Sequence, residues 1–165
     1  MKIARVETRP VVVTLKKPIG TAFGQINTFG CVLVFVHGDT GVIGENLVFT
    51  LNNRRTKVLR QMIDELADLL IGRDAGHIAE FWARAWKDIN FLGHKGVPVV
   101  GISAPTVRSG MYKTVNLRRT ALGPGGAQAR VPAYHSGGLW LTSTINELTA
   151  EAESFLSAVG AADLR

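Results

Sequence analysis

Polar and apolar residues alternate through residues 2–15, where Ile3, Val6, Val11 and Val13 are interleaved with Arg5, Glu7 and other polar positions. A period of two predicts a strand with one wet face, here interrupted at Pro10. Residues 16–30 carry Pro18, Gly20, Gly24, Asn27 and Gly30. They are expected to form a long loop, the kind of segment that often carries function. Residues 31–37 form a near-continuous apolar run. Asp39-Thr40-Gly41 then turns the chain into a short second strand over 42–47. Two apolar runs around such a turn predict a β-hairpin.

A second loop is expected over 46–53, and after it the period changes. Val58, Leu59, Met62, Ile63, Leu66, Leu69 and Leu70 recur at steps of three and four, the stripe of an amphipathic helix. Asn52 or Asn53 is placed to cap its start and Gly72 its end. Ile78, Phe81, Trp82, Ala85, Trp86 and Ile89 predict a second helix, and the small apolar residues 97–104 a third. Both aromatic-bearing stripes are read as core rather than as a cofactor site. Residues 1–90 therefore predict an α+β domain, an antiparallel β-meander followed by helices. Residues 131–136 read as a strand again. Residues 146–158 read as an amphipathic helix with Leu148, Ala152, Phe155 and Leu156 on one face. With Gly137-Gly138 between them, these two segments make one βα unit.

Charge changes the picture in one place. The 165 residues carry a formal net charge of +6, which would ordinarily raise nucleic acid as a partner. Residues 105–130 hold five basic side chains and no acidic one, and show neither a helical nor a strand period. Elsewhere the charges nearly cancel. The Arg54-Arg55-Thr56-Lys57 run has no aromatic stacking platform beside it and reads as a solvated face. The six-residue run 31–36 is the longest fully apolar stretch, too short to span a bilayer. No signal-peptide core is present, and the cytoplasm is the expected compartment. The single Cys31 lies in an apolar run and reads as a buried thiol. His37, His77, His94 and His135 have no metal-ligand spacing, and Gly123-Pro124-Gly125-Gly126 lacks the helix and Lys-Ser/Thr of a phosphate loop.

Several segments together resemble a known family. They are the opening Lys2-Ile3-Ala4-Arg5-Val6-Glu7, the loop Lys17-Pro18-Ile19-Gly20-Thr21-Ala22-Phe23, and the hairpin from Val32 to Gly44-Glu45. Gly101-Ile102-Ser103-Ala104 and Val131-Pro132-Ala133-Tyr134 follow in the same order. In this order they resemble the N-terminal capping domain of the enolase superfamily, in its mandelate racemase/muconate lactonizing enzyme branch, followed by the first strand of its barrel. The resemblance implies a cap joined to a (β/α)7β barrel. There, a Lys or His base abstracts a proton next to a Mg²⁺-bound carboxylate. It also implies that two cap loops, 19–28 and 46–50, close over a small carboxylate substrate, with Thr21, Phe23 and Phe49 as contacts. The competing reading of Phe23 and Phe49 is simple packing against the hairpin. His135 falls at the C-terminal end of the implied first barrel strand, where barrel chemistry occurs. A surface or hydrogen-bonding role is its other reading.

The chain departs from that family twice. The Lys-x-Lys signature of the second barrel strand would fall near Asp163 and Arg165, so no catalytic residue and no metal ligand is assigned here. One βα unit cannot close a barrel. After Ala104 the family's next helix reads Asp-x-Ala-Leu-Trp-Asp, whereas this chain has Pro105-Thr106-Val107-Arg108-Ser109-Gly110-Met111-Tyr112. One set of synonymous codons for residues 105–113, read from the last base of the Pro105 codon, spells Asp-Cys-Ala-Leu-Trp-Asp-Val-Gln. Residues 105 to about 123 are therefore expected to be translated out of frame, the competing reading being an insertion loop.

These readings divide the chain into a cap (1–104), an irregular out-of-frame segment (105–130) and the first βα unit of a truncated barrel (131–165). The expected product is the N-terminal part of a Mg²⁺-dependent racemase, cycloisomerase or sugar-acid dehydratase. It would be inactive alone and self-associate through its exposed barrel-facing surface. No membrane or nucleic-acid partner is expected. The alternatives are a small basic module that binds nucleic acid through 105–130, and an enzyme completed by a separate barrel chain.

Overall fold

The computed structural model describes residues 1–106 and 137–159. Three strands form one sheet in the order β1-β2-β3: β1 (Ile3–Thr21), β2 (Gly24–Gly38) and β3 (Ile43–Leu51). Only Ala22 and Phe23 join β1 to β2, which allows antiparallel pairing alone. β2 and β3 pair antiparallel from Phe29↔Leu51 through Leu33↔Leu47 to His37↔Ile43. Among the described residues four α-helices follow: α1 (Thr56–Ala67), α2 (Ile78–Asp88), α3 (Val97–Ser103) and α4 (Ile145–Val159). A 3-10 turn, Ile89–Phe91, extends α2. This is the expected α+β meander followed by helices.

Both segments read as loops turn out to be largely strand. β1 passes through Pro10 and Pro18 without a break. Both prolines are exposed on an edge strand, the place in a sheet where proline is tolerated. Likewise β3 continues to Leu51, because its pairing with β2 runs the whole way. Helix α1 starts at Thr56 behind a left-handed Arg55, and no side chain caps it. Asn52 and Asn53 instead take positive φ (53° and 51°) and make the tight turn out of β3, a conformation asparagine tolerates better than most residues. α1 ends at Ala67, earlier than Gly72 suggested, in a series of turns that Gly72 closes with φ 77°.

The chain forms two compact units, one of Met1–Val13 with Phe29–Ala127, the other of Thr14–Thr28 with Gln128–Arg165. In the first, Val32, Val34 and Val36 point from β2 to the helices and are 0–2% exposed. They join Leu59, Ile63 and Leu66 of α1, Phe81 and Ala85 of α2, Ile89 and Ile102 in one core. Each such side chain contributes roughly 1.5–3 kcal/mol by leaving water. Polar ties set the register between layers. Thr8 Oγ1 donates to Asp64 Oδ1 at 2.5 Å and accepts from Arg60 Nε at 3.1 Å. Asn46 Nδ2 donates to the Ala104 carbonyl at 2.8 Å, satisfying an acceptor at the end of α3. Pro105 and Thr106 are buried, and Thr106 Oγ1 accepts from Trp82 Nε1 at 3.3 Å. Gly30 permits the turn after β3 to approach β2, since a Cβ there would collide with Thr56 Oγ1 and Asn53.

In the second unit, the β1–β2 tip and α4 are joined by side chains. Lys17 Nζ donates to Ser143 Oγ at 3.1 Å and to Glu147 Oε1 at 3.3 Å, and Thr142 Oγ1 donates to the Pro18 carbonyl. Thr144 and Glu147 form a reciprocal capping box at the start of α4. Thr144 N donates to Glu147 Oε2 at 2.7 Å, and Glu147 N to Thr144 Oγ1 at 3.3 Å. The strand expected over 131–136 lies outside the described residues, as does most of the segment 105–130.

Candidate functional site

The β1–β2 tip is a two-residue hairpin loop built on one hydroxyl. Thr21 Oγ1 donates to the Gly24 carbonyl at 2.8 Å and accepts from Phe23 N at 3.2 Å. Gly24 follows with φ 126°, a conformation that L side chains rarely adopt. With its backbone pinned on both sides, the turn projects the Phe23 ring wholly into solvent, at 102% exposure. Thr21 and Phe23, singled out in the sequence, are thus brought together, with different tasks: Thr21 shapes the turn and Phe23 is presented by it. A rigid turn offering an unburied aromatic ring can cover an apolar surface brought against it and exclude water there.

Phe49 belongs to the other unit. It lies on β3, directly opposite Cys31, and remains 61% exposed. Its ring meets Phe29 edge-on with centroids 5.5 Å apart, a favoured aromatic geometry. Packing against the hairpin therefore accounts for one edge of Phe49 and leaves the rest uncovered. His135 lies outside the described residues.

The electrostatics of the second unit centre on Glu147. Hydrogen bonds from the Thr144 backbone and hydroxyl, then the Lys17 ammonium, hold its carboxyl below the ordinary value of 4.5. Glu147 has a signal in the sequence that the candidate residues above do not include: Thr144-Ile145-Asn146-Glu147 carries the Thr-x-x-Glu signature of a capping box. No sequence spacing points to Lys17 as its partner. In the first unit, Glu7 lies between Arg9 (2.6 Å) and Arg5 (2.9 Å), and both guanidiniums lower its pKa. Asp74 is lowered by the Gly76 N–H and the Met1 ammonium.

Among the described residues, no three His, Cys, Asp or Glu side chains gather as a metal site would require. No helix of the described residues is long and apolar enough to cross a membrane.

An antiparallel three-stranded sheet followed by helices defines a capping domain of the enolase type. Residues 3–94 match the N-terminal domain of the mandelate racemase / muconate lactonizing enzyme family. That match spans more than half of the chain, and the chain belongs to this family. A racemase from Streptomyces coelicolor A3(2) with bound magnesium is similar at 25% identity and TM-score 0.81, over 94% of this chain and 44% of that one. An L-talarate/galactarate dehydratase from Salmonella typhimurium LT2, liganded with Mg and L-lyxarohydroxamate, shares the fold at 17% identity and TM-score 0.80. The match covers 94% of this chain and 41% of the dehydratase. An L-talarate dehydratase from Polaromonas sp. JS666, complexed with Mg and L-glucarate, does so at 20% identity and TM-score 0.76, over 94% and 43%. This chain spans less than half the length of these structures.

Proposed function

We propose that this chain is the substrate-capping part of a mandelate racemase/muconate lactonizing-type enzyme. The whole enzyme would be a Mg²⁺-dependent racemase, cycloisomerase or sugar-acid dehydratase that abstracts the α-proton of a small carboxylate. The observation that carries this reading is the β1–β2 tip, where the Thr21 hydroxyl holds the turn and Phe23 is left fully exposed. Phe23 closes over the substrate, and Phe49 supplies a second apolar contact. The acid/base residues and metal ligands reside outside the cap, so the 165-residue chain binds and covers but does not turn over substrate. Magnesium, where bound, would stabilise the enolate that proton loss creates.

The purified chain, incubated with Mg²⁺ and a panel of α-hydroxy and sugar-acid carboxylates in D2O, is expected to give no α-proton exchange by NMR. Exchange above the buffer rate would overturn the proposal. The segment from 105 to about 123 is part of the same reading, as an out-of-frame translation of the family's next helix. The nucleotide sequence tests it: third bases incompatible with Asp-Cys-Ala-Leu-Trp-Asp-Val-Gln in the shifted frame would exclude it.

A further inference from the structure

Val32, Val34 and Val36 enter the core from one face of β2, so His37 lies on the opposite face. Its side chain is only 16% exposed, and Nε2 is buried without a hydrogen-bond partner among the described residues. A buried polar atom left unpaired is uncommon and calls for a physical reason. The reason lies on β1. Arg5 Nη2 is 3.4 Å from His37 Nδ1, and Glu7 Oε2 is 3.5 Å from His37 Nε2. Arg5 Nη1 donates to that same Glu7 oxygen at 2.9 Å, while Arg9 Nε donates to Glu7 Oε1 at 2.6 Å.

These contacts define the protonation state of the ring. A guanidinium carries donors and no acceptor. Its approach to Nδ1 is attractive only while Nδ1 keeps its lone pair. The hydrogen of the neutral ring is then on Nε2, near the Glu7 carboxylate but not aligned to bond it. Uptake of a proton places a second hydrogen on Nδ1. A donor then faces a donor, and two cations lie 3.4 Å apart. The opposite side of the ring gains, because its new charge faces the Glu7 anion.

One cation has to give way, and the three are held differently. His37 is mostly enclosed. Arg9 keeps its short bond to Oε1 and lies over the Phe35 ring, 5.3 Å from the centroid. The Arg5 side chain is 58% exposed, and its contacts are the two to Glu7 and His37. The other neighbours of His37 offer no competing pair. On β3, Ile43 is directly opposite it, and Glu45 is opposite Phe35, one row further. Asp39, in the turn that follows, accepts from the Lys2 backbone N–H at 3.1 Å.

We infer that His37 is a proton-operated switch that exchanges the partners of Glu7. With His37 neutral, Arg5 bridges Glu7 Oε2 and His37 Nδ1. With His37 charged, Nε2–H closes on Glu7 Oε2 and the Arg5 guanidinium swings into solvent. This corner of the sheet thereby gains one positive charge and frees a second.

The test is NMR of the full chain with ¹⁵N-labelled histidine and arginine, titrated from about pH 8 to about pH 5, the range in which histidine changes charge. At the upper end His37 should be the Nε2–H tautomer. Rotation of the Arg5 guanidinium should be restricted there, giving separate signals for its two amino nitrogens. These signals should merge as His37 takes up its proton, in step with it, while the amide signals of Val32 and Val34 stay unchanged. In H37Q, which cannot gain a proton, the Arg5 signals should not respond to the same change of pH. An Nδ1–H tautomer at the upper end would overturn the inference. So would Arg5 signals that stay separate once His37 is charged, or that respond equally in H37Q. Loss of the Val32 and Val34 signals in step with His37 would also overturn it, since the event would then be unfolding rather than an exchange of partners.

Discussion

Lys17 and Glu147, 130 positions apart in sequence, meet with Nζ 3.3 Å from Oε1. Both side chains are more than half exposed, so the pair contributes little to global stability. Its effect is local: it holds the hairpin tip that carries Phe23 to the start of α4. Lys17→Ala should leave the thermal midpoint essentially unchanged while accelerating amide exchange in residues 14–28. Exchange at the wild-type rate would show that the backbone turn alone orders the tip.

Glu147 also belongs to the capping box, and Thr144 is its reciprocal partner. Thr144→Ala removes the hydroxyl that accepts from Glu147 N. The expected cost is about 1 kcal/mol of α4 stability, read as earlier loss of protection in residues 145–157 by exchange mass spectrometry. Thr144→Ser keeps the hydroxyl and should restore most of it.

Gly30 is hemmed in by Asn53 and Thr56, with the Asn53 Cα 2.8 Å from where a Cβ would sit. Backbone atoms cannot swing aside as a side-chain end can. Gly30→Ala should therefore destabilise the first unit by about 1–3 kcal/mol, measured by urea unfolding. Breaking the bonds that Thr50 Oγ1 makes to the Gly30 carbonyl and the Thr56 hydroxyl would accompany the shift.

Ile63 and Phe23 provide a contrast between core and tip. Ile63 is wholly buried at the centre of α1, so Ile63→Ala should cost about 2–5 kcal/mol. Phe23 is wholly exposed, and Phe23→Ala should change stability by less than about 0.5 kcal/mol. Paired urea titrations of the two variants check this directly. In an intact homologous enzyme, the Phe23 change should impair substrate capping without affecting folding.

Acid should weaken the fold through three carboxylates. Glu7, Asp74 and Glu147 are all lowered from ordinary values of 4.5, 3.8 and 4.5 by hydrogen bonds and neighbouring cations. A lowered folded-state pKa means the unfolded chain binds protons first as pH falls. Their stabilisation is thus complete above the ordinary carboxylate range and is lost as pH drops through it towards the lower folded values. The thermal midpoint should be flat with respect to these groups near neutrality and decline below about pH 5. Asp74→Asn should flatten part of that decline, since its carboxylate accepts from Gly76 N and pairs with the Met1 ammonium.

Much of the fold is legible in the sequence because its cause is local. The stripe Leu59, Ile63, Leu66 predicts the buried face of α1, and those residues are 0–5% exposed. The run 31–36 predicts a strand, and its inner residues Val32, Val34 and Val36 are core. The same reasoning missed the strands over 16–21, 24–30 and 48–51. Proline and glycine are turn formers when considered residue by residue. Which N–H groups need a partner depends on whether the strand lies at the sheet's edge, a fact no local window contains. Of the candidate residues, Thr21 ends β1 and Phe23 lies in the two-residue turn that follows it. Lys17 and Glu147 were not legible as partners, because surface charges 130 positions apart carry no periodic signal.

The order of strands and helices and the core face of each follow from hydrophobic period and segment order, which sequence carries directly. Only the tertiary structure decided which residues the chain leaves uncovered. Phe23 and Val34 are both apolar residues in or beside strands, yet one is fully exposed and the other fully buried. The difference arises because Val34 faces the helical layer while Phe23 sits beyond the last paired residues of the hairpin. Burial is a property of what packs against a residue, and that depends on neighbours brought together from distant parts of the chain.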